Sequence, residues 1–524
     1  MITLTVGDLY DRCVEYYSDG IALTFKDQSV TYREMGYNAN CLVTALDGLG
    51  MTKGDRVGFL MANCPEYIFC EYAVAKVGGT RVPLAVLLNP DDHIYMLNLV
   101  ECTTLIYHEK MADRVKGMMP ELKTVKHFIC VASDPASVMD GHLHLQTLMT
   151  ENEPSDFSVD IDPEELAGIY FTGGTTGKPK GVMLSHRSWV YTILIEMLEF
   201  DFGRKEVFAY LTPLTHAGGC LLLPVLLRNG RCVIMDHFDP GEFLKTVEKE
   251  KVSITFLVPT MIYVLLDHPD LKMYNLESLK NVIYGASAIA PERLKQAMMT
   301  FGPIFTQLFG QTEAPMAFSV LPREDHVIAD PVREKEIFAS AGRPTYHCEV
   351  RLVDDDGNDA KLGDPGEIVV RCANMMTGYY KNPEATADTI RDGWLYTGDI
   401  AKKDEQGFIY IVDRKKDMII SGGFNIYPRE IEDVLFEHPV IKEASVIGIP
   451  HDKWGEEVKA IVVLREEGGA TEAELINFVK EKKGSLVAPK TIEFWDAIPL
   501  TNLGKVDKKT IRSTFWEGHD RQIS

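Results

Sequence analysis

Short apolar runs alternate with helical patterns through the middle of the chain, and this alternation constrains the fold more than any other feature. The runs are strand-like and are, in order, "VFAYL", "RCVIM", "SITFLV", "NVIYG" and "IFTQLFG". The stretch "GGCLLLPVLLRNG" predicts a helix that ends at Gly230, and Asp239 followed by Pro240 predicts the start of another. Such alternation predicts βαβ units and a largely parallel sheet with helices on both faces. The earlier runs "DRVGFLMAN" and "CEYAVAKVGG" have the same character and predict a sister lobe.

The pattern changes twice in the C-terminal part. From about Ala341, strands separated by Asp-Gly and Gln-Gly turns predict a small β-rich, barrel-like subdomain. After Lys416, mixed helix and strand patterns predict a compact α+β domain of about a hundred residues. We therefore predict an α/β protein. Its large N-terminal domain over 1–413 has two βαβ-type lobes plus the β-barrel-like subdomain, a hinge follows over 414–417, and a small α+β domain covers 418–524.

Charge and cysteine content narrow the class of protein. The 54 Lys and Arg residues against 77 Asp and Glu give a formal charge of −23, which disfavours nucleic acid as a partner. Ten scattered cysteines without a Cys-x-x-Cys pair favour reduced thiols in a cytosolic protein. We expect no signal peptide, no peroxisomal address and no transmembrane segment, and therefore a cytoplasmic location.

The glycine-rich stretch "FTGGTTGKPKG", which starts at Phe171, is the first candidate for chemistry. A Walker A loop needs four residues between its glycines, a hydroxyl residue after its lysine and a helix directly afterwards. Here three residues lie between Gly173 and Gly177, Pro179 follows Lys178, and the next run, "GVML", is strand-like. The sequence therefore predicts strand–loop–strand and excludes a P-loop phosphotransferase.

The same stretch can still hold phosphate. Its glycines let backbone N–H groups converge on an anion, its threonines supply hydroxyl donors and its lysines add positive charge. These candidates are Thr172, Gly173, Gly174, Thr175, Thr176, Gly177, Lys178 and Lys180. Taken alone, the loop is better explained as the tip of a hairpin rich in turn residues, and the rest of the sequence reverses that preference.

Further candidates follow predicted strands. In "FTQLFGQTEA" a strand is predicted to end at Phe309, so Gly310, Gln311, Thr312 and Glu313 lie at its carboxyl end, where ligands of open α/β sheets bind. A carboxylate there can hold Mg²⁺ and a threonine hydroxyl can hold a phosphate oxygen. The alternative is a helix N-cap at Thr312.

Four other stretches carry further candidates. "YGASAIAP" leaves a strand through small residues that let a flat ring approach the backbone, and "GWLYTGDIA" offers Asp399 to a ribose diol, with an Asx-turn as the alternative. "DRKKDMIISGGFNIYP" offers Arg414 as a second ribose or phosphate contact and Gly422-Gly423 for close backbone approach. "IPLTNLGKVDKK" contains Lys505 in a charged turn.

Taken in order, these stretches resemble the adenylate-forming superfamily, which includes acyl-CoA synthetases, adenylation domains of nonribosomal peptide synthetases and firefly-type luciferases. The family pattern "TSGTTGxPKG … YGxTE … YxTGD … DRxKD … GGxxI … GK" spans essentially the whole chain. This sequence departs from it in the glycine-rich stretch, where a glycine of "TGGTTG" takes the usual Ser position, and at Phe309, which takes the usual Tyr position beside the adenine. Both departures leave ATP use intact.

The resemblance implies a reaction in two halves, with ATP, Mg²⁺ and coenzyme A. A carboxylate attacks the α-phosphorus of ATP to give acyl-AMP and pyrophosphate, and the CoA thiol then attacks the acyl carbon and expels AMP. Lys505 would supply positive charge to the first half, and a mobile C-terminal domain would swing about a hinge at Lys416, bringing Gly422 and Gly423 to the pantetheine tunnel. His216 in "PLTHAGG" matches a family histidine near the acyl carboxylate, although a core or capping histidine is the alternative.

The other roles implied by the resemblance concern the nucleotide. The loop from Thr172 to Lys180 would hold the β- and γ-phosphates, Thr312 a phosphate, and Glu313 the Mg²⁺. Asp399 and Arg414 would hold the ribose. The adenine would lie against the residues of two strand ends, which are Gly285, Ala286, Ser287, Phe309, Gly310 and Gln311.

The sequence indicates less about which carboxylic acid is the substrate than about the reaction. Amino-acid-activating relatives place an Asp near "PLTHAGG", and none occurs between Pro213 and Gly219, while no carrier domain follows Lys505. Both points favour a free acid and free CoA. Apolar residues from His216 to Leu227 suit a fatty, aromatic or alicyclic acid, although plain core packing explains them equally well. A carrier protein as acceptor, a non-catalytic ATP-binding regulator and a homodimer are kept as further hypotheses.

The first prediction concerns Lys505. Replacing it (Lys505→Ala) is expected to abolish pyrophosphate release, because one well-placed donor stabilises a transition state by roughly 3–4 kcal/mol. A preformed acyl-adenylate should still be converted to the thioester. Both half-reactions can be followed separately, and an equal loss of both would reject the assigned role.

Overall fold

The structure is a computed structural model that describes residues 3–155, 159–172, 178–451, 453–466, 468–500 and 506–516. Six predicted site residues therefore lie outside the described residues: Gly173, Gly174, Thr175, Thr176, Gly177 and Lys505. By their internal contacts the residues divide into two units, one of 1–349 with 371–395 and one of 350–370 with 396–524. Residues 350–370 and 396–413 thus group with the C-terminal residues, and the division at 413/414 stays a proposal.

The helices are α1 (Val6–Tyr17), α2 (Tyr32–Gly48), α3 (Pro65–Lys76), α4 (Pro90–Leu99), α5 (Ala112–Met118), α6 (Leu145–Glu151), α7 (His186–Glu199), α8 (Ala217–Cys220), α9 (Leu222–Leu226), α10 (Pro240–Glu250), α11 (Pro259–Leu266), α12 (Pro291–Phe301), α13 (Pro331–Phe338), α14 (Pro383–Thr389), α15 (Pro428–Phe436), α16 (Glu472–Lys483) and α17 (Lys508–Ser513).

The first strands are β1 (Ile21–Phe25), β2 (Gln28–Thr31), β3 (Arg56–Leu60), β4 (Thr80–Pro83), β5 (Thr104–His108), β6 (His127–Val131), β7 (Leu143–His144), β8 (Leu166–Thr172), β9 (Lys180–Ser185), β10 (Val207–Tyr210), β11 (Arg231–Ile234), β12 (Ile254–Leu257), β13 (Asn281–Tyr284), β14 (Phe305–Gln311), β15 (Ala314–Leu321) and β16 (Arg343–Pro344). The remaining strands are β17 (Cys348–Val353), β18 (Gly366–Cys372), β19 (Gly378–Tyr379), β20 (Ile390–Arg391), β21 (Trp394–Lys403), β22 (Ile409–Arg414), β23 (Ile419–Ser421), β24 (Phe424–Ile426), β25 (Ile441–His451), β26 (Gly455–Leu464) and β27 (Thr491–Phe494).

The strand–helix alternation predicted for the middle of the chain is confirmed. A nine-stranded sheet has the order β16-β15-β14-β13-β12-β10-β11-β1-β2. Its central pairs, from β11 through β14, are parallel, and Asp239 caps α10 by accepting a hydrogen bond from the Glu242 amide at 2.8 Å. Side chains from these strands and from α10 and α12 form one core, with Leu244, Val247 and Leu294 fully buried.

The predicted sister lobe is an eight-stranded sheet in the order β19-β9-β8-β4-β3-β5-β6-β7. The pairs β3–β4, β3–β5, β5–β6 and β4–β8 are parallel. In contrast, β8 and β9 form an antiparallel pair, with Thr172 opposite Lys180. Helix α7 begins only after β9. The glycine-rich stretch therefore joins two strands, as the sequence predicts, and the α/β fold class is confirmed.

Two local predictions are wrong. The single helix predicted to end at Gly230 is two short helices, α8 and α9, because the Leu221 carbonyl accepts a hydrogen bond from the Tyr210 hydroxyl at 2.8 Å at the break. Strand β14 continues past Phe309 to Gln311 and turns directly into β15. Thr312 therefore lies in a hairpin turn, which excludes the alternative of a helix N-cap.

The second unit has its own core. Strands β17, β18 and β21 lie side by side with β22 beyond β21, and β25 to β27 form a separate sheet with β23 and β24. Helices α15 and α16 pack on this second sheet and bury Ile431, Leu435 and Leu475 against Val446 and Val462. The strands predicted after Ala341 and the mixed elements predicted after Lys416 are therefore present. No helix in the described part of the chain is both long and apolar enough to cross a bilayer.

A buried ionic cluster links α17 to the short turn after β22. Asp417 in that turn pairs with Arg512, and Lys508 Nζ lies 2.8 Å from Glu432 Oε1. The Asp417 and Arg512 side chains are only 13% and 15% exposed. Although burial opposes it, the positive charge of Arg512 and of the neighbouring lysines holds the pKa of Asp417 below its usual value. Removal of either side chain would therefore leave the charge of the other buried without a partner.

We predict that Arg512→Met destabilises the second unit by about 3 kcal/mol, because it leaves the Asp417 carboxylate buried without its partner. Urea unfolding measures the change. Arg33→Met is the control, since Arg33 pairs with Asp19 on the surface with both side chains more than half exposed, and such pairs contribute at most about 1 kcal/mol. Equal effects of the two substitutions would contradict the structural role of the cluster.

Candidate active site

The described ends of the glycine-rich stretch present two lysines to aromatic rings. Lys178 Nζ lies 4.8 Å from the centre of the Tyr95 ring, and Lys180 Nζ lies 4.7 Å from the centre of the Tyr379 ring. Ammonium groups at such distances are attracted to the negative face of the ring. Both lysines are therefore held beside the segment that the sequence assigns to phosphate.

Tyr379 also contacts the predicted metal carboxylate. Its hydroxyl donates a hydrogen bond to Glu313 Oε1 at 2.7 Å, and burial together with the Glu313 charge raises the pKa of the Tyr379 hydroxyl. Lys180, Tyr379 and Glu313 therefore form one group of neighbours, although Tyr379 lies 66 residues from Glu313 in the sequence. Sequence reasoning did not find Tyr379, because nothing in "TGYYKN" marks one tyrosine as special.

The predicted adenine-side residues lie at two strand ends that leave no space for a β-carbon. A methyl group added to Gly310 would lie 1.9 Å from the Met316 carbonyl oxygen, and one added to Gly285 would lie 2.5 Å from the Leu308 carbonyl oxygen. Ala286 and Ser287 follow Gly285 and are exposed, and Ala286 has a φ of 66°. Left-handed backbone at a residue other than glycine is costly and is often found at functional sites.

Phe309, Gln311 and Thr312 are half-buried in the hairpin formed by β14 and β15. The Phe309 ring packs edge-on against Phe318, with 4.7 Å between ring centres. Its position on β14 is thus fixed by the β14–β15 pairing.

The second unit brings the two predicted ribose contacts together. Asp399 and Arg414 lie directly opposite each other on β21 and β22, and Arg414 Nε is 3.3 Å from Asp399 Oδ1. The Asp399 amide donates to the Thr397 hydroxyl oxygen at 3.1 Å, and the Asp399 side chain is 9% exposed. The pairing therefore presents one carboxylate and one guanidinium side by side.

The predicted hinge and tunnel residues lie in tight turns of the same unit. Lys416 belongs to the turn Lys415–Asp417, where burial, helped by the charge of Arg414, lowers its pKa to about 8. Gly422 and Gly423 connect β23 to β24 and have φ values of 59° and 83°. A two-residue hairpin turn of type I′ needs left-handed backbone at both positions, and a β-carbon on Gly422 would also lie 2.7 Å from the Trp454 ring. The turn and its packing therefore explain both glycines. Their role at a CoA tunnel, like that of Lys416 as the hinge, stays a prediction.

His216 lies in the first unit at the start of α8, on a loop fixed by Asn63. The Asn63 amide nitrogen donates to the carbonyl oxygens of Thr212 and Met235 at 3.0 Å each, and its oxygen accepts from the Leu214 amide at 2.9 Å. Asn63 is buried, and sequence reasoning missed it because its partners are about 150 residues away. His216 itself is exposed.

A cavity lies beside His216 and leads into the interior of the first unit. Its apolar walls come from α7, α9 and the loop before α8, and include Ile193, Leu214 and Leu223. Its interior end contains a buried ion pair between Arg81 and Glu71, which sequence reasoning also missed. The available signal was a glutamate within the otherwise buried helix α3 and an arginine within the buried strand β4. We call this cavity the acid chamber.

The comparisons with known proteins identify the family. The model of the AMP-binding enzyme family matches residues 10–380, and that of the AMP-binding enzyme C-terminal domain matches residues 430–505. A medium/long-chain-fatty-acid–CoA ligase, FadD8, of Mycobacterium tuberculosis is 37% identical over 99% of this chain and 91% of its own length. A feruloyl-CoA synthase of Amycolatopsis sp. is 34% identical over 93% of this chain and 94% of its own length. The amide bond synthetase McbA from Marinactinospora thermotolerans superposes with a TM-score of 0.87 and 29% identity, covering 97% of this chain and 99% of McbA.

The chain therefore belongs to the AMP-binding enzyme family within the adenylate-forming superfamily. It is an acid–thiol ligase, which uses ATP and coenzyme A.

We predict that Asn63→Ala lowers kcat/KM at least about tenfold for the acid that the enzyme uses, because two main-chain groups of the His216 loop, at Thr212 and Leu214, lose the partner that joins them to the Met235 carbonyl. Unpaired buried groups should also lower the free energy of unfolding by about 2–3 kcal/mol. The control is Asn98→Ala, since Asn98 joins the Glu121 carbonyl and the Lys123 amide at 2.9 Å each, away from the acid chamber. Asn98→Ala should lose stability but keep kcat/KM, and a parallel loss of activity in both variants would contradict the positioning role of Asn63.

Proposed function

We propose that this ligase activates a fatty, aromatic or alicyclic carboxylic acid as its acyl-adenylate and then transfers the acyl group to coenzyme A. The observation that carries the proposal is the grouping of Lys180, Tyr379 and Glu313, which joins phosphate-binding charge to a carboxylate at one edge of the first unit. The acid chamber beside His216 supplies the second substrate site in the same unit.

The nucleotide contacts follow from this arrangement. Lys178 and Lys180 neutralise the β- and γ-phosphates, and the Thr312 hydroxyl donates to a phosphate oxygen. Mg²⁺ usually keeps several waters and binds through one or two carboxylates together with substrate phosphates. Glu313 fits that role, because its Oε1 is oriented by the Tyr379 hydroxyl while the carboxylate as a whole is half-buried. Asp399 and Arg414 hold the ribose, the carboxylate accepting from its hydroxyls.

The first half-reaction needs positive charge between the acid and the α-phosphorus. The carboxylate oxygen attacks phosphorus, pyrophosphate leaves, and Lys505 stabilises the charge that shifts between them. The second half-reaction places the CoA thiol at the acyl carbon and expels AMP. We propose that rotation about Lys416 exchanges Lys505 for the Gly422–Gly423 turn between the two steps.

The substrate class is supported by the apolar walls of the acid chamber and by the relatives. Ile193, Leu214 and Leu223 suit a hydrocarbon or ring. Two of the relatives are a ligase for medium- or long-chain fatty acids and a feruloyl-CoA synthase. A carrier protein remains an alternative acceptor, and an amine is another because the neighbour McbA is named as an amide bond synthetase. A cytoplasmic location and a homodimer also stay predictions.

We predict that, without hydroxylamine, AMP is formed only when a particular acid, ATP, Mg²⁺ and CoA are all present. The measurement is AMP production across a panel of fatty, aromatic and alicyclic acids, with hydroxylamine in place of CoA to trap the adenylate. If an acid gives hydroxamate with hydroxylamine but no AMP with CoA, the enzyme forms the adenylate and its acyl acceptor is a molecule other than CoA. If no acid gives either product, the proposed function is rejected and the regulator hypothesis gains support.

A further inference from the structure

We propose that Cys348 and Cys372 are an oxidation site, at which a low-molecular-weight disulfide converts the two thiols into one intramolecular disulfide. The new bond lowers the affinity of the neighbouring Glu313 site for Mg²⁺. The statement about Mg²⁺ rests on the proposed function, in which Glu313 holds the metal, whereas the statement about the disulfide does not.

The two cysteines lie opposite each other on neighbouring strands. Strands β17 and β18 are hydrogen-bonded neighbours, and Arg371 on β18 donates two hydrogen bonds to the Glu349 carboxylate on β17, at 3.0 and 2.8 Å. Farther along the pair, a β-carbon added to Gly366 would lie 3.0 Å from main-chain atoms of Val353. The strands are therefore antiparallel, and the residue before Glu349 faces the residue after Arg371.

The two thiols are also in contact. The Cys348 and Cys372 side chains are hydrogen-bonded to each other, both residues belong to the first unit, and neither is in a disulfide. Residues directly opposite on antiparallel strands have Cα atoms about 4.5–5.5 Å apart, and disulfides usually join Cα atoms about 4.4–6.8 Å apart. The pair can therefore be bridged without a rearrangement of the strands.

The two thiols differ in exposure, and this difference sets the order of the reaction. Cys348 is 7% exposed, whereas Cys372 is half-buried and reaches solvent. The hydrogen bond with Cys372, together with burial, raises the pKa of the Cys348 thiol. Because the thiolate is the nucleophile in thiol–disulfide exchange, Cys372 reacts first and Cys348 resolves the mixed disulfide.

The exchange is balanced in two steps. The Cys372 thiolate attacks one sulfur of the small disulfide R–S–S–R, a new S–S bond forms, and R–S⁻ leaves and takes up the proton that Cys372 lost. The Cys348 thiol then gives its proton to solvent, attacks the Cys372 sulfur and expels the second R–S⁻, which is protonated in turn. The protein pair loses two electrons, and the small disulfide is reduced to two thiols. Small thiols reverse both steps, and coenzyme A, which this ligase uses, is one of them.

The segment after Cys372 is joined to the hairpin that carries Glu313. The Asn374 side-chain amide donates a hydrogen bond to the Pro315 carbonyl oxygen at 3.0 Å, and the Met376 main-chain amide donates to the Glu313 carbonyl oxygen at 2.8 Å. A displacement of Cys372 therefore acts on the main chain at Glu313 and at the start of β15.

The segment before Cys348 is joined to the same strand. The Cys348 amide donates to the Thr345 carbonyl oxygen at 3.1 Å, and the Thr345 amide donates to the Phe318 carbonyl oxygen of β15 at 3.1 Å. The sulfur atoms of a disulfide are only about 2.0 Å apart, which is closer than two hydrogen-bonded thiols. Their approach therefore moves one segment or the other, and both segments end on β15, which follows Glu313 directly.

The expected effect is on the use of Mg²⁺. The Glu313 carboxylate is oriented by the Tyr379 hydroxyl, which donates to its Oε1 at 2.7 Å. A displacement of about 1 Å can cost a reaction about a hundredfold in rate, and we expect a smaller displacement here. Oxidation should therefore raise the Mg²⁺ concentration needed for half-maximal pyrophosphate release about tenfold.

The experiment oxidises the full chain with glutathione disulfide, removes the reagent and divides the sample. One part is alkylated and digested, and mass spectrometry measures the cross-linked peptide that contains Cys348 and Cys372. The other part is assayed for pyrophosphate release over a range of Mg²⁺ concentrations, with hydroxylamine in place of CoA because CoA would reduce the disulfide. We expect the cross-linked peptide and the tenfold change in Mg²⁺ dependence, and dithiothreitol should reverse both.

Two variants separate the roles of the two thiols. Cys372→Ser should keep the Mg²⁺ dependence of the reduced enzyme, lose its change on oxidation and leave Cys348 unmodified. Cys348→Ala should stop at the mixed disulfide between Cys372 and glutathione. Cys41→Ala is the control, since Cys41 is a buried cysteine on α2 of the first unit, and this variant should respond to oxidation as the unaltered enzyme does.

The outcomes separate the inference from the proposed function. If oxidation gives no peptide that links Cys348 to Cys372, the oxidation site is rejected, and this result needs no activity and no variant. If the peptide forms but the Mg²⁺ dependence is unchanged, the effect on Glu313 is rejected. The same shift in Cys372→Ser would assign it to another cysteine and overturn the proposal. If no acid gives pyrophosphate with the reduced enzyme, the proposed function fails, and the peptide still decides whether the oxidation site exists.

Discussion

The antiparallel pairing of β8 with β9 is the interaction on which the first unit's candidate site depends. It places Thr172 opposite Lys180 and closes the glycine-rich stretch between them. Strand β19 pairs with the other side of β9, with Tyr379 opposite Val182, and so brings the Tyr379 hydroxyl to Glu313. A shift of one residue in this register would turn these side chains to the opposite face of the sheet.

The same strand also shapes the acid chamber. Because β8 pairs with β4 at Gly168, the Arg81 guanidinium lies under the Tyr170 ring, and α7 then contributes Trp189. A buried ion pair is weak evidence for stability, since well-packed apolar residues often replace one without loss. Stability of the fold therefore does not by itself account for the Arg81–Glu71 pair. Phosphate and acid candidates therefore converge on one hairpin of the first unit.

Patterns that are local in the sequence predicted the fold well. Asp239 and Pro240 start α10 because capping acts within one turn, and the βαβ alternation needs only the period of apolar residues. The break between α8 and α9 could not be predicted, because it depends on a hydroxyl from Tyr210 on a preceding strand. For the same reason Asn63 and Tyr379 were missed, since their contacts join residues far apart in the sequence. Glu71 and Arg81 were visible as charges in apolar runs, but only the structure pairs them.

The ionic cluster at α17 has a consequence for the exchange of C-terminal domains between relatives. Asp417 follows Lys416 directly in the sequence and pairs with Arg512, nearly a hundred residues later. Under the proposed rotation Asp417 and Arg512 move together as part of one rigid body. Their ion pair therefore need not break and re-form in each catalytic cycle. A chimaera whose junction falls between them would join an aspartate from one parent to an arginine from another. Recombination that keeps residues 417–512 from a single parent preserves the ion pair between the turn at the proposed hinge and the segment that follows Lys505.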